Sequence, residues 1–102
     1  MTTDLYEFWK SPAVAQKAKN VILYTLLRNS EPEEGTHRNL SIIVENVFKG
    51  RFLPGTSLSS YFKELNEAGL VTAETLKHSY TSRYSLTEEG REYALSLDPE
   101  NL

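Results

Sequence analysis

One stretch of the chain, TSLSSYFKELNEAGL at residues 56–70, carries hydroxyl groups and a lysine at the spacing of a helix surface. Its apolar side chains recur every three or four positions, which predicts an amphipathic helix with one buried face. The polar face begins with hydroxyls and one cation, and its acids, Glu64 and Glu67, come only in the second half. Hydroxyl and ammonium groups without a nearby carboxylate can contact base edges and phosphate oxygens of DNA. A plain surface helix with an arbitrary charge pattern is the alternative interpretation.

Both ends of this helix carry residues that are typical of helix ends. Thr56 or Ser57 can accept a hydrogen bond from a free backbone N–H group of the first turn. Gly69 can adopt the left-handed conformation that ends a helix, and Leu70 would then fold back toward Leu65. The sequence therefore predicts a helix over residues 56–69.

Few residues of the chain could act in catalysis or bind a metal ion, because it has two histidines and no cysteine. His37 and His78 lie 41 positions apart, without the spacing of a metal site or a catalytic triad. We interpret both as exposed loop histidines. The acids between Thr87 and Glu92 are better explained as the start of a helix, and no glycine-rich phosphate-binding loop occurs. We therefore expect no enzymatic activity, no cofactor and no metal site.

Length and composition indicate one globular domain. The chain has 102 residues, of which 39% are hydrophobic and 25% charged. The lack of cysteine fits a reducing compartment. The N-terminus lacks the cationic start and apolar run of an export signal, and no stretch approaches the roughly 20 apolar residues of a membrane span. We expect a soluble, cytoplasmic protein without membrane contact.

The net charge of −3 argues against nucleic-acid binding without sequence preference, but the charge is unevenly distributed. Residues 37–83 carry +2, whereas residues 1–36 carry −1 and residues 84–102 carry −4. The positive part contains the hydroxyl-bearing helix. Because the imbalance is modest, any affinity for nucleic acid should depend strongly on salt and benefit from dimerisation.

Two helices are predicted before the hydroxyl-bearing helix. Residues 13–29 follow Ser11-Pro12, a typical helix start, and form a wide apolar face that should lie deep in the core. Residues 38–49 include three consecutive β-branched residues, yet their apolar positions keep helical spacing, so a helix is favoured over a strand. In the turn that follows, we expect Phe52 and Leu53 to fill the core between two helices.

The N-terminal extension, residues 1–12, places Leu5, Phe8 and Trp9 on one side of a short amphipathic turn. This segment could pack on its own domain. A contact with a second copy is the alternative, because aromatic residues are enriched at interfaces.

The hydrophobic period changes after Gly69. Residues 70–86 are rich in Val, Thr and Tyr with alternating polarity, which predicts a β-hairpin with its tip at residues 78–81. Thr87 can then cap a last helix over residues 87–97, which Asp98-Pro99 ends. The predicted fold class is mainly α with a small β-hairpin.

The order of these elements and three local sequences resemble winged helix-turn-helix transcriptional regulators, most closely the PadR-like group and more distantly the MarR- and ArsR-like groups. The resemblance covers residues 40–97. Its local sequences are Pro54-Gly55-Thr56, Glu67-Ala68-Gly69-Leu70-Val71 and Tyr84-Ser85-Leu86-Thr87-Glu88-Glu89-Gly90. The resemblance implies that residues 56–69 are the recognition helix and residues 70–86 the wing. It also implies a dimeric regulator that binds double-stranded DNA. We expect this regulator to bind specific sequences and to act as a repressor by occlusion, because no part of the sequence looks like an activation or enzymatic module.

Carried over by position, the resemblance assigns DNA contacts to polar residues of three regions. These are Thr56, Ser57, Ser59, Ser60 and Lys63 of the recognition helix; Arg38, Lys49 and Arg51, which would contact flanking phosphates; and Lys77, His78 and Arg83 of the wing. Tyr61 is assigned to the core. Two features depart from the PadR-like pattern: the chain ends soon after Leu97 instead of continuing into a long dimerisation helix, and the wing tip lacks an arginine and glycine cluster. Dimerisation would then use Leu5, Phe8 and Trp9.

A winged-helix protein-interaction module that does not bind DNA is the competing interpretation. The net negative charge and the single lysine of the recognition helix favour it. A small-molecule effector at a dimer interface is compatible with either interpretation, but no residue indicates one.

Overall fold

The computed structural model describes residues 2–28, 35–75 and 82–101. Five helices, a two-stranded antiparallel hairpin and a short terminal 3₁₀ turn follow one another in this part of the chain. They are α1 (Thr2–Lys10), α2 (Pro12–Arg28), α3 (His37–Val47), α4 (Gly55–Glu67), β1 (Val71–Thr75), β2 (Ser82–Leu86), α5 (Glu88–Leu95) and the 3₁₀ turn (Pro99–Asn101). The predicted class, mainly α with a small β-hairpin, is therefore confirmed. In the described ranges, no helix is long and apolar enough to cross a membrane.

Helix α2 lies at the centre of the fold and packs against α1, α3, α4, α5 and β2. Its apolar residues recur every three or four positions, so one side of the helix is almost continuously buried. The buried side chains are Ala18, Val21, Ile22, Leu23 and Leu26. Because each fully buried Leu, Ile or Val contributes roughly 1.5–3 kcal/mol, this face supplies much of the burial that holds the other elements in place.

Helix α3 confirms the helical interpretation of the β-branched segment. Thr36 caps its start, since its Oγ1 accepts a hydrogen bond from the Asn39 N–H at 3.4 Å, and Leu40 and Val44 are buried. The helix ends at Val47, two residues earlier than predicted. Lys49 and Gly50 then take left-handed φ angles of 61° and 78°, which turn the chain toward α4.

The turn between α3 and α4 buries only one of the two residues that were predicted to fill the core. Leu53 is 3% exposed, whereas Phe52 is 62% exposed, so the prediction is wrong for Phe52. The backbone explains the difference. The Phe52 carbonyl points inward and accepts a hydrogen bond from the Trp9 indole N–H at 2.8 Å, and the Leu53 N–H donates to the Glu45 carboxylate at 2.7 Å.

Helix α4 begins one residue earlier than predicted and without the predicted cap. Pro54, with φ −61° and ψ 140°, occupies the N-cap position, and no side chain among the described residues caps this end. The helix ends at Glu67, two residues earlier than predicted, but the predicted closure by Gly69 is confirmed. Gly69 has a φ of 76°, and the Leu70 N–H donates to the Leu65 carbonyl at 3.0 Å, as expected for a helix closed by a left-handed glycine.

The hairpin pairs Val71 with Leu86 at one end and Thr75 with Ser82 at the other. A third segment joins it at one point, because Thr36 forms an isolated antiparallel bridge with Arg83. Gly35 allows this close approach, since a Cβ at this position would lie 2.7 Å from the Tyr84 carbonyl oxygen. The Tyr84 ring stacks on Phe62 of α4 with centroids 3.7 Å apart, which holds the hairpin against that helix.

Helix α5 begins as predicted. Thr87 Oγ1 accepts a hydrogen bond from the Gly90 N–H at 3.0 Å and donates one to the Gly69 carbonyl at 2.6 Å. Thr87 thereby joins the end of α4 to the start of α5. The helix is two residues shorter at its C-terminal end than predicted, because it ends at Leu95.

Candidate nucleic-acid interface

The residues predicted to contact DNA from α4 lie mostly on its exposed side. Leu58, Tyr61, Phe62 and Leu65 are buried against the core, which confirms the assignment of Tyr61 to the apolar face. Thr56, Ser59, Ser60 and Lys63 are exposed, and Ser57 is half-buried at the edge. The first carboxylate of the helix is Glu64, so the first two turns present hydroxyls without an acid.

Lys63 and Glu64 are neighbouring charged residues of α4, and the negative charge of Glu64 is partly compensated by a lysine of α2. Within the described residues, Lys63 forms no ion pair, whereas a Glu64 carboxylate oxygen lies 3.4 Å from Lys19 Nζ of α2. The Glu64 side chain is 57% exposed, so this pair contributes at most about 1 kcal/mol to stability. Its effect on the interface is to direct the carboxylate toward the side of α4 that faces α2.

The three cations predicted to contact flanking phosphates are exposed. Arg38 lies in the first turn of α3, and Lys49 and Arg51 lie in the turn between α3 and α4. The Arg51 guanidinium carbon is 4.0 Å from the centroid of the Phe8 ring. Such a cation–π contact is worth about 0.5–1 kcal/mol at an exposed site, and it orients the guanidinium without neutralising it.

The hairpin carries less free positive charge than the sequence suggested. Arg83 donates to a Glu74 carboxylate oxygen at 2.6 Å, and the two residues are directly opposite in the register of the strands. Arg83 therefore has an anionic partner within its own hairpin, which weakens its predicted role as a DNA contact. Lys77 and His78 lie outside the described residues.

His37 is neither exposed nor in a loop, so that interpretation is wrong for this histidine. It is the first residue of α3, it is half-buried, and its ring centroid lies 5.5 Å from that of Phe62. Burial lowers the pKa of His37, so its ring is mainly neutral at pH 7 and offers no charge to a phosphate. In the described ranges, no three His, Asp or Glu residues lie close enough together to hold a metal ion.

Helix α1 packs on its own domain, the first of the two alternatives considered for the N-terminal segment. Trp9 is 1% exposed, and its ring makes edge-to-face contacts at 4.9 Å with both Phe8 and Phe48. As folded, the Trp9 side chain is not available to a second copy, and Phe8 is half-buried in the same cluster. The Leu5 side chain lies outside the described part. A dimer contact through the rest of this segment stays a prediction.

Two hydrogen bonds fix α1 to α4 and to the turn before it. The Tyr61 hydroxyl donates to the Trp9 carbonyl, and the Trp9 indole N–H donates to the Phe52 carbonyl. Burial, with a smaller contribution from the charge of Glu64, raises the pKa of Tyr61 to about 12. The hydroxyl therefore keeps its proton and remains a donor at neutral pH.

A groove of about 430 Å³ lies between α1 and the first turns of α4, beside the contact of Tyr61 with Trp9. Tyr6, Trp9 and Lys10 of α1 line one side, and Thr56, Ser57 and Ser60 of α4 line the other. Sequence reasoning did not include Lys10 among the candidate contacts. No local signal places it beside α4, because its position depends on the contact between Trp9 and Tyr61, 52 residues apart.

No protein-family model matches the chain, and neither a curated protein nor a solved structure does so. The role of the α4 surface therefore has to be inferred from its own geometry and charge.

Proposed function

We propose that this protein is a cytoplasmic, dimeric winged helix-turn-helix repressor that binds double-stranded DNA through α4. The observation that carries the proposal is the exposed side of α4, which presents Thr56, Ser59, Ser60 and Lys63 and no acid in its first two turns. The hairpin follows this helix directly, and α3 precedes it after a short turn. That order matches a helix-turn-helix with a wing.

The dimensions of α4 suit the major groove of B-DNA. An α-helix with side chains is about 10–12 Å wide, and the groove is about 12 Å wide. Recognition helices contact base edges mainly with their N-terminal residues. In α4 these are Thr56 and Ser59, which can both donate and accept hydrogen bonds, and Ser60, which donates to the Thr56 carbonyl and is left mainly as an acceptor. Lys63 can reach a guanine or a phosphate.

Positive charge around α4 supports the same orientation. Arg38, Lys49 and Arg51 are exposed on α3 and on the turn before α4 and can contact phosphates beside the groove. Helix α5 begins with Glu88 and Glu89, which would repel DNA from that side of the domain. With Arg83 paired to Glu74, the described part of the wing contributes less affinity than α4 and the turn.

Dimerisation would double the small number of phosphate contacts that one domain provides. Two α4 helices in successive major grooves are separated by about 34–36 Å, one turn of DNA. A dimer bound across a promoter in this way blocks access of the transcription machinery, which is the simplest form of repression.

Fluorescence anisotropy tests the proposal. The purified protein is titrated into duplexes from the region upstream of its own gene and into scrambled duplexes of equal composition, at two salt concentrations. We expect tight, salt-sensitive binding to one native duplex and weak binding to its scrambled partner. Negligible and equal binding to both at low salt would contradict the proposal.

A protein-interaction module without DNA binding is the second candidate. Phe52 and Leu95 are the most exposed large apolar side chains of the described residues, at 62% and 64%. If all duplexes remain unbound at low salt, these two residues become the first positions to replace in a search for a protein partner.

A further inference from the structure

We infer that the groove between α1 and α4 holds one phosphate group of the DNA backbone, with Lys10 as its cation. This inference rests on the proposed function. It extends the DNA-binding surface to α1, a segment that sequence reasoning assigned only to packing or dimerisation.

The chemistry of the groove suits a single anionic group with several oxygen atoms. Lys10 is exposed, and it forms no ion pair with any of the described residues. Across the groove, the hydroxyls of Thr56 and Ser57 can donate to phosphate oxygens. The Ser60 hydroxyl already donates to the Thr56 carbonyl at 3.0 Å, so it remains in the groove mainly as an acceptor. One ammonium and two hydroxyl donors are the groups that commonly contact DNA phosphates.

One acid, Glu64, also lines the groove. Glu64 lies seven residues after Ser57, which corresponds to about 10 Å along the helix axis. Its carboxylate is also 3.4 Å from Lys19 Nζ, so part of its charge is compensated. The hydroxyls of Thr56 and Ser57 therefore lie at the end of the groove away from this carboxylate, and Lys10 is the one cation among the described residues of the lining.

The groove is also on the correct side of α4. A helix that fills the major groove has one phosphate backbone along each of its two flanks. On one flank of α4, Asn66 donates to the Val71 carbonyl of the hairpin at 3.2 Å. The opposite flank, with Ser57 and Ser60, faces α1. Lys10 directly follows Trp9, whose carbonyl accepts a hydrogen bond from Tyr61 of α4. This contact holds Lys10 beside the flank of α4 along which one DNA phosphate backbone would run.

Salt dependence measures this contact. Loss of one phosphate contact lowers the slope of log affinity against log salt concentration by about 0.9. An increase in salt concentration from 50 to 200 mM should therefore weaken DNA binding by Lys10→Ala about 3.5-fold less than it weakens binding by the wild type. Arg91→Ala is the matched control, because it removes one exposed cation from α5 and should leave the slope unchanged. Lys10→Arg should retain most of the wild-type slope. Circular dichroism melting should show that all three variants fold.

A neutral-linkage experiment separates direct contact from a general effect of charge. Single phosphates along each strand of the best-bound duplex are replaced by uncharged methylphosphonate linkages. Each duplex is then titrated with the wild type and with Lys10→Ala. We expect one linkage that weakens the wild type but has no further effect on Lys10→Ala. If every linkage weakens both proteins equally while the wild type still binds DNA, this inference is wrong and the proposed function stands. If the wild type binds no duplex, both fail.

A free phosphate compound is the other source of the same chemistry. Inorganic phosphate is therefore added to the protein alone in a thermal-shift assay. Stabilisation of the wild type that is lost in Lys10→Ala, together with equal methylphosphonate effects in both proteins, would overturn the assignment to the DNA backbone. The absence of any shift, with one linkage that affects only the wild type, supports the assignment.

Discussion

Gly90→Ala tests the contact that joins the last helix to the end of α4. A Cβ at Gly90 would lie 1.9 Å from the Leu70 carbonyl oxygen and 2.8 Å from its carbon. Both atoms belong to the backbone, so no side-chain rotation can relieve the overlap. The same carbonyl accepts the Thr87 N–H at 3.0 Å, which prevents it from moving independently of α5.

The expected loss of stability follows from this geometry. The methyl group and the carbonyl oxygen must separate by about 1.5 Å to reach an ordinary contact distance of about 3.4 Å. Overpacking of a close contact costs about 1–3 kcal/mol, and a rigid backbone neighbour places this substitution at about 3 kcal/mol. In a domain of this size that corresponds to a melting temperature lower by about 12–24 °C.

Urea unfolding followed by circular dichroism is the assay, and Gly55→Ala is the matched control. No described atom lies within 4 Å of a Cβ at Gly55, which begins α4. Alanine at that position should raise stability by about 0.4–1 kcal/mol, because it restricts the unfolded chain. A Gly90→Ala protein within about 0.5 kcal/mol of wild type would refute the close packing of α5 on Leu70.

Three further predictions concern single hydrogen bonds and titrations. Tyr61→Phe should lower the free energy of unfolding by about 1–3 kcal/mol, because it leaves the Trp9 carbonyl without its donor. Because the pKa of Tyr61 is raised to about 12, wild-type stability should fall as pH rises from about 10 to about 12, and Tyr61→Phe should lack this component. The lowered pKa of His37 means that stability is lost as pH falls below about 6.5, and NMR titration of the ring should give a pKa below that value. Thr87→Ala should cost about 0.5–2 kcal/mol in urea unfolding, whereas Thr87→Ser, which keeps the cap, should remain close to wild type.

The features that the sequence predicted correctly depend on local chemistry. Gly69 ends α4 because glycine accepts a positive φ without steric strain, and Thr87 caps α5 because its hydroxyl reaches an N–H three residues later. The segment that became α3 could be assigned because its apolar spacing outweighed the β-branched residues. Helix α4 was predicted to start at a hydroxyl cap, but it starts directly after Pro54. The proline ring fixes φ at a value that is compatible with a helix start.

The features that it missed are set by residues far apart in the chain. Phe52 faces solvent because its carbonyl is held by Trp9, 43 positions away. Arg83 forms an ion pair within the hairpin because the strand register places it opposite Glu74. Lys10 belongs to the surface of α4 only after α1 has packed. None of these relations follows from the periodicity of a single segment.

The most direct test of the central claim is amide chemical-shift mapping of the folded chain as duplex DNA is added. If the exposed side of α4 contacts DNA, the largest changes will fall on Thr56, Ser59, Ser60 and Lys63, with smaller changes near Lys10 and Arg51. The exposed residues of α5 should stay unchanged. Changes confined to α5 or to the surroundings of Phe52, or no change at low salt, would contradict the claim that α4 is the DNA-binding surface.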